Sequence, residues 1–166
     1  MSSVPSNPTV LNTTAPSNFA YIDRMDLLEA LPRVCTVPAV RRELRAGVDS
    51  YPYLQRALDS IGDTIPVVAL DDPVDDTATD IAPRLDPGEA QAFAVAEIHD
   101  GTLVTDDGPA RTLARDTGVA VTGSIGVLIR AVEADRLSAA DADRWLKQWI
   151  DETDYRAPSR DFSDYC

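Results

Sequence analysis

Short apolar blocks separated by polar turns run along most of the chain, and their spacing predicts the elements. Thr9 to Leu11 is a brief apolar run followed by the polar Asn12-Thr13-Thr14, the pattern of a strand and a turn. A helical spacing of apolar residues then extends from about Asn18 to Leu31, where Pro32 stops it. Val34 to Val37 reads as a second strand. Pro38 presets the first turn of a helix that runs through Val40, Glu43 and Leu44 to a cap at Gly47. A further helix covers Tyr53 to Ile61, and Pro66 to Leu70 supplies a third strand.

Residues 71 to 86 carry six Asp and two Pro, which predicts a solvated acidic connector. Pro87-Gly88-Glu89 then opens a long helix with Ala90, Phe93, Ala94 and Ala96 on a small-residue face. Thr102 to Thr105 is a fourth strand, Pro109 to Thr117 a helix, Val119 to Thr122 a fifth strand and Ile125 to Ala134 a helix. Ser138, three residues before Asp141, caps a final helix reaching about Ile150. This alternation predicts an α/β fold, a central and mainly parallel five-stranded sheet with helices on both faces. One domain spans residues 8–150. Residues 151–166 form a polar tail, either mobile or an arm packing Tyr155 or Phe162 on a neighbour.

Composition changes the picture in one respect. Among 166 residues there are 22 Asp but 6 Glu, and 14 Arg but a single Lys, for a net charge of -13. Such a surface resembles that of proteins from salt-loving microbes, where salt screens like charges over a few ångströms. Acidity on this scale argues against a nucleic-acid partner, an argument that weakens in a salty cell. No apolar run reaches the ~20 residues of a membrane span, and MSSVPSNPTV lacks the pattern of a signal peptide, so no membrane association and a cytoplasmic location are expected. Two cysteines and one histidine exclude a thiolate or His-rich metal centre, so any bound metal takes oxygen ligands.

Ligands of open parallel sheets gather beyond the carboxyl ends of the strands. Asn12 follows the first strand, Glu43 lies on the helix after the second, Glu89 opens the helix before the fourth, and Asp106-Asp107 ends the fourth. Oxygen donors from four segments at one edge suit Mg²⁺ or Mn²⁺. The alternative is local: Asp106-Asp107 capping the next helix, and Glu89 serving the dipole of its own.

In order along the chain, VLNTTAPSNFAYIDRMDLLEALPRVCTVPAVRREL, LDPGEAQAFAVAEIHDGTLVTDDGPARTLA and GVAVTGSIGVLIRA resemble a PIN domain. The resemblance is specifically to the branch of small archaeal and bacterial PIN-like proteins related to the toxin ribonucleases of toxin–antitoxin pairs. The resemblance implies a three-layer α/β/α sandwich and metal-dependent hydrolysis of RNA, leaving a 5′-phosphate and a 3′-hydroxyl. It assigns Asn12, Glu43, Glu89 and Asp107 to the catalytic metal site, with Asp106 as an accessory acid. It also places Thr13 or Thr14 at the metal-proximal loop and Ser124 near the same rim. Asn12 stands where the family carries an acid. An amide oxygen can coordinate an ion but brings no charge and cannot act as a base. The implied function is a divalent-metal-dependent endoribonuclease, with a weak or inactive RNA-binding protein as the alternative. The implied partners are RNA, a second copy of the chain and a small antitoxin.

Phosphate contacts need cations. Arg41 and Arg42, with Arg45, flank Glu43, while Arg111 and Arg115 stand four apart on the helix after Asp107; each is a candidate for RNA phosphate or for a link to a surface Asp. His99 reads as a helix-end residue. Trp145 and Trp149 read as core or dimer contacts, with base stacking as the alternative, and Phe19, Met25, Leu27, Leu28 and Leu31 read as packing residues.

Overall fold

A computed structural model describes residues 3–69 and 86–165. Four strands, β1 (Thr9–Leu11), β2 (Val34–Cys35), β3 (Thr102–Val104) and β4 (Ala120–Thr122), form one sheet in the order β2-β1-β3-β4. All three pairings are parallel, with Val10 opposite Cys35 and Leu103, and Leu103 opposite Val121. Successive side chains of a strand point to opposite faces, yet Thr9, Val10 and Leu11 are all buried, so both faces of β1 are covered.

Parallel neighbours require crossovers, and helices supply them. Among the described residues there are eight: α1 (Thr14–Tyr21), α2 (Met25–Glu29), α3 (Pro38–Gly47), α4 (Leu54–Ser60), α5 (Pro87–Ile98), α6 (Gly108–Thr117), α7 (Ser124–Glu133) and α8 (Ala139–Glu152). Helix α5 lies on β1 and β3, α1 on β1, and α6 on β4, while α3 packs against α4 and α5. The predicted packing residues Phe19, Leu27 and Leu28 are buried in this core.

Three expectations are corrected. The helix predicted from Asn18 to Leu31 starts at Thr14 and divides in two, because Asp23 adopts φ +56 in the turn between α1 and α2. Asp is one of the few residues that visits that region readily. The third strand is reduced to a single parallel bridge, Thr36 to Val67, on the outer side of β2; Thr36 N–H donates to the Pro66 carbonyl and Val68 N–H to that of Thr36. Among the described residues the sheet therefore has four strands. Gly47 closes α3 from within the helix rather than as a left-handed cap, and a Cβ there would stand 2.8 Å from Leu54 Cδ1, so it sets the close approach of α3 and α4. Of the acidic connector, residues 71–85 lie outside the described residues.

Contacts divide the chain into two compact units, Met1–Ser124 and Ile125–Cys166. In the second, the tail's 3₁₀ turn packs against α8. Tyr155 packs on Trp149 with ring centroids 5.4 Å apart, and Phe162, in a 3₁₀ turn over Phe162–Tyr165, is buried. Its N–H donates to Asp143 (3.0 Å), which also holds Lys147, the chain's only lysine (2.6 Å). Such exposed ion pairs are worth little, so burial of Phe162 and the packing of the half-buried Tyr155 on Trp149 carry the tail's attachment. Ser138 caps α8 by accepting the Asp141 N–H (3.0 Å). Among the described residues no helix is long and apolar enough to cross a membrane.

Candidate functional site

Of the five buried polar residues among the described ones, four stand at or just past the carboxyl ends of strands: Asn12 after β1, Thr36 after β2, Thr105 after β3 and Ser124 after β4. Polar groups withdrawn from water must be paired, and the rim of the sheet is organised by how they are paired. Thr36 Oγ1 donates to the Leu11 carbonyl (2.7 Å) and fastens β2 to β1.

Asn12, almost wholly buried, uses both ends of its amide. Its Nδ2 donates to Thr105 Oγ1 and its Oδ1 accepts the Thr14 N–H (3.2 Å). Thr105 Oγ1 in turn accepts the Asp107 N–H (3.1 Å), and Thr14 Oγ1 accepts the Asp106 N–H (2.9 Å). The side chain read as the weakened member of a metal site is thus the link between the loops after β1 and β3.

The two adjacent acids do different things. Asp106 is engaged at both oxygens: Oδ1 accepts the Ser124 N–H (2.8 Å), and Oδ2 accepts the Ser124 hydroxyl (2.5 Å) and the Asn18 amide (3.2 Å). A Cβ at Gly123 would stand 2.7 Å from Asp106 Oδ1 and 2.6 Å from Arg111 Nη1, so a side chain there would displace both tips from this corner. Asp107 caps α6, its Oδ2 accepting the Ala110 N–H (2.9 Å). That is the local role the residue pattern also allowed.

Glu43 projects from α3 toward α1 and α5. Its Oε1 accepts the Gly88 N–H (2.9 Å) and its Oε2 the Thr13 hydroxyl. A Cβ on Gly88 would stand 2.7 Å from Glu43 Oε1, so the missing side chain makes room for the carboxylate. Glu89 forms a capping box with Asp86: Asp86 Oδ1 accepts the Glu89 N–H (2.8 Å), and Glu89 Oε2 the Asp86 N–H (3.4 Å). From the same helix, Gln91 Oε1 accepts the Ala39 N–H (3.0 Å), one of the open donors at the start of α3.

These carboxylates crowd one another. Burial pushes the Glu89 pKa up to about 7, helped by the negative charges of Asp86 and Asp107. Burial likewise raises that of Glu43, with the Asp86 charge adding to it against the hydrogen bonds from Thr13 and Gly88. Glu43, Asp86, Glu89 and Asp107 are therefore one electrostatic group drawn from three segments. Their donor chemistry, all carboxylate oxygen, fits a hard divalent ion. Among the described residues, however, no three His, Cys, Asp or Glu side chains are gathered into a ready-made metal-holding group.

Asp86 and Asn18 were missed as site residues. Asp86 carries the signal Asp-Pro-Gly-Glu, a capping box that the acidic run before it hides. Asn18 lies four residues after Thr14 on α1, hence on the same helix face. Of the arginines, Arg111 Nη1 donates to the Thr105 carbonyl (3.2 Å), Arg42 and Arg115 are exposed, and Arg41 is half-buried on α3. His99 is the C-cap of α5; Trp149 is buried core and Trp145 half-exposed beneath the Arg144 guanidinium.

Compared with protein-family profiles, the chain matches that of the PIN domain over residues 8–163. No curated protein matches it.

Proposed function

The chain belongs to the PIN-domain family, whose fold is of the nuclease type, and on that premise we propose that it is a divalent-metal-dependent ribonuclease. The observation that carries the reading is the carboxylate group at the strand rim, where Glu89 is held near pKa 7 by burial and by Asp86 and Asp107. Uncompensated negative charge at the mouth of a parallel sheet is what a cation relieves. Glu43, Glu89 and Asp107 would hold Mg²⁺ or Mn²⁺. When bound, such an ion acidifies an attacking water and offsets charge on the phosphoryl oxygens. The chain's own part is positional. Thr13 and Gly88 N–H orient Glu43, the α6 cap orients Asp107, and the pair Asn12 and Asp106 fixes the loops that carry them.

A second reading, an RNA-binding protein that does not hydrolyse its ligand, is favoured by Asn12, whose amide is committed to Thr105 and Thr14. Incubation with single-stranded and structured RNA, in high potassium salt with a Mn²⁺ titration, separates the two. The ribonuclease gives metal-dependent 5′-phosphate products that Glu89→Gln abolishes and Asn12→Asp increases. No cleavage by the wild type, and none gained by Asn12→Asp, overturns the enzyme and leaves the binding protein. A homodimer and a small antitoxin partner are proposed with the same reading, and mass measurement of the purified chain, alone and co-expressed with its neighbouring gene, tests both.

A further inference from the structure

Among the described residues two large apolar side chains stand well exposed, Tyr51 at 57% and Ile98 at 54%. Ile98 ends α5, whereas Tyr51 belongs to a cluster of three rings. Tyr53 meets Tyr21 edge to face, with centroids 5.1 Å apart at 87°, and Tyr51 lies against Tyr53 at 6.0 Å and 62°. Tyr21 and Tyr53 are half-buried and form the base of the cluster; Tyr51 is its outermost member.

The exposed ring is carried on a fixed backbone. Tyr51 N–H donates to the Gly47 carbonyl (2.9 Å), its own carbonyl accepts the Leu54 N–H (3.0 Å), and Pro52 sets the next φ. Arg56 Nη1 of α4 donates to the Ala20 carbonyl (2.9 Å), which ties α4 to the end of α1 beside Tyr21. Helix α1 joins this cluster to the rim. Thr13, just before it, donates to Glu43, Thr14 Oγ1 accepts the Asp106 N–H, and Asn18 donates to Asp106. Tyr21 follows Asn18 by three residues and Thr14 by seven, which puts all three on one face of the helix, with Tyr21 about 10 Å along the axis from Thr14. A single helix face therefore leads from the carboxylate rim to the tyrosines.

An uncharged ring held out into water suits a nucleobase. Every base has a π-face, and stacking on an aromatic side chain needs no cation. In a chain of net charge -13 that matters, because attraction of phosphate is opposed by the protein's own charge and fades in salt. We infer that Tyr51, propped on Tyr53 and Tyr21, is a base-stacking subsite for single-stranded RNA that passes the rim along α1. That the ligand is RNA rests on the ribonuclease reading; the cluster and its link to the rim do not.

The test is binding rather than cleavage. A ten-nucleotide single-stranded RNA, and the same strand without its bases, are titrated over a KCl series, with Ca²⁺ replacing Mn²⁺, against the wild type, Tyr51→Ala, Tyr51→Trp and Ile98→Ala. The last truncates the other exposed apolar side chain. Tyr51→Ala is expected to weaken RNA binding about tenfold, the loss of one stacked base, with the salt slope unchanged. Tyr51→Trp retains the affinity, Ile98→Ala stays within about twofold, and no variant alters binding of the base-free strand. Should Tyr51→Ala unfold at a lower temperature than the wild type, Tyr51→Leu, which keeps apolar bulk without a π-face, takes its place with the same expectations. Equal RNA affinity for Tyr51→Ala and Ile98→Ala overturns the inference, as does an equal loss on the two strands or a wild type that binds no RNA. A dimer that Tyr51→Ala converts to monomer in sedimentation without RNA also overturns it, and makes the cluster an interface between copies. RNA binding that depends on Tyr51, without cleavage in Mn²⁺, keeps this inference and removes the nuclease. Cleavage with Tyr51-independent binding does the reverse.

Discussion

Two halves of one rim are built on opposite principles. Around Asp106, a single carboxylate accepts from neutral donors, the Ser124 N–H and hydroxyl and the Asn18 amide, and Asn12, Thr14 and Thr105 extend the network, with Arg111 at its edge on the Thr105 carbonyl. Around Glu89, burial and the charges of Asp86 and Asp107 act together and the acid's own pKa rises to about 7. Charge in the first half is satisfied by fixed dipoles and holds the loops; charge in the second is left over and is available for a ligand. Counting acids at the rim would treat the two alike. The distinction lies in what each oxygen already accepts.

Removing Asp106 is the most damaging way to break this contrast. Asp106→Ala leaves the Ser124 N–H and hydroxyl without an acceptor and opens the corner around Gly123. A loss of about 3 kcal/mol in urea unfolding is expected, near the upper range for hydrogen bonds to a charged group. A loss below about 1 kcal/mol would show that Asp106 does not hold the corner. Asn12→Ala comes next. It strips partners from Thr105 and from the Thr14 N–H in a buried site, and about 2 kcal/mol is expected by the same measurement. Gly88→Ala probes the charged half. The added Cβ would stand 2.7 Å from Glu43 Oε1, but that oxygen ends a flexible side chain that can swing aside. The expected cost is about 1 kcal/mol, with a severalfold weaker Mn²⁺ affinity by calorimetry as Glu43 leaves Thr13 and Gly88. Unaltered Mn²⁺ affinity would remove Glu43 from the metal reading.

The same contrast marks how far the residue pattern can be read. Pro38 at the first turn of α3 and Asp86-Pro-Gly-Glu89 at the start of α5 are local chemistry, and both helices begin where those residues require. Positions of the acids along the chain are likewise legible, because strand ends are short-range features. What is not legible is long-range pairing. That Asp106 meets Ser124 eighteen residues on, while Asp107 turns back to cap its own helix, is decided by sheet register. The single helix expected over Asn18 to Leu31 failed on one backbone conformation at Asp23, to which hydrophobic spacing is blind. Of the third strand, a single bridge from Thr36 to Val67 is formed among the described residues. The tail carries no periodicity, yet Tyr155 and Phe162 pack through contacts that periodicity does not record.

The smallest expected effect is also the one that reverses sign. Glu89 has an ordinary carboxyl pKa of 4.5 in the unfolded chain and about 7 in the fold, so the native state holds its proton longer. Stability contributed by this group is therefore greatest at low pH and declines as pH rises between 4.5 and 7, the opposite of a salt-bridged acid. Glu89→Gln removes the charge but keeps an oxygen that can accept the Asp86 N–H. It forfeits some favourable interaction with the α5 dipole, which offsets part of the gain. For a half-exposed group screened by water, the net expectation is a stabilisation of about 1 kcal/mol at pH 8, shrinking toward zero below pH 4.5. Asp106→Asn, in the neutral half, moves the other way at pH 8, since it replaces an acceptor of three hydrogen bonds with a group that donates at one end. Paired urea titrations of both variants at pH 8 and pH 4.5 read the two signs directly. If Glu89→Gln destabilises the protein at pH 8, or gains stability equally at both pH values, the carboxylates around Glu89 are not under mutual strain, and the electrostatic distinction between the halves fails.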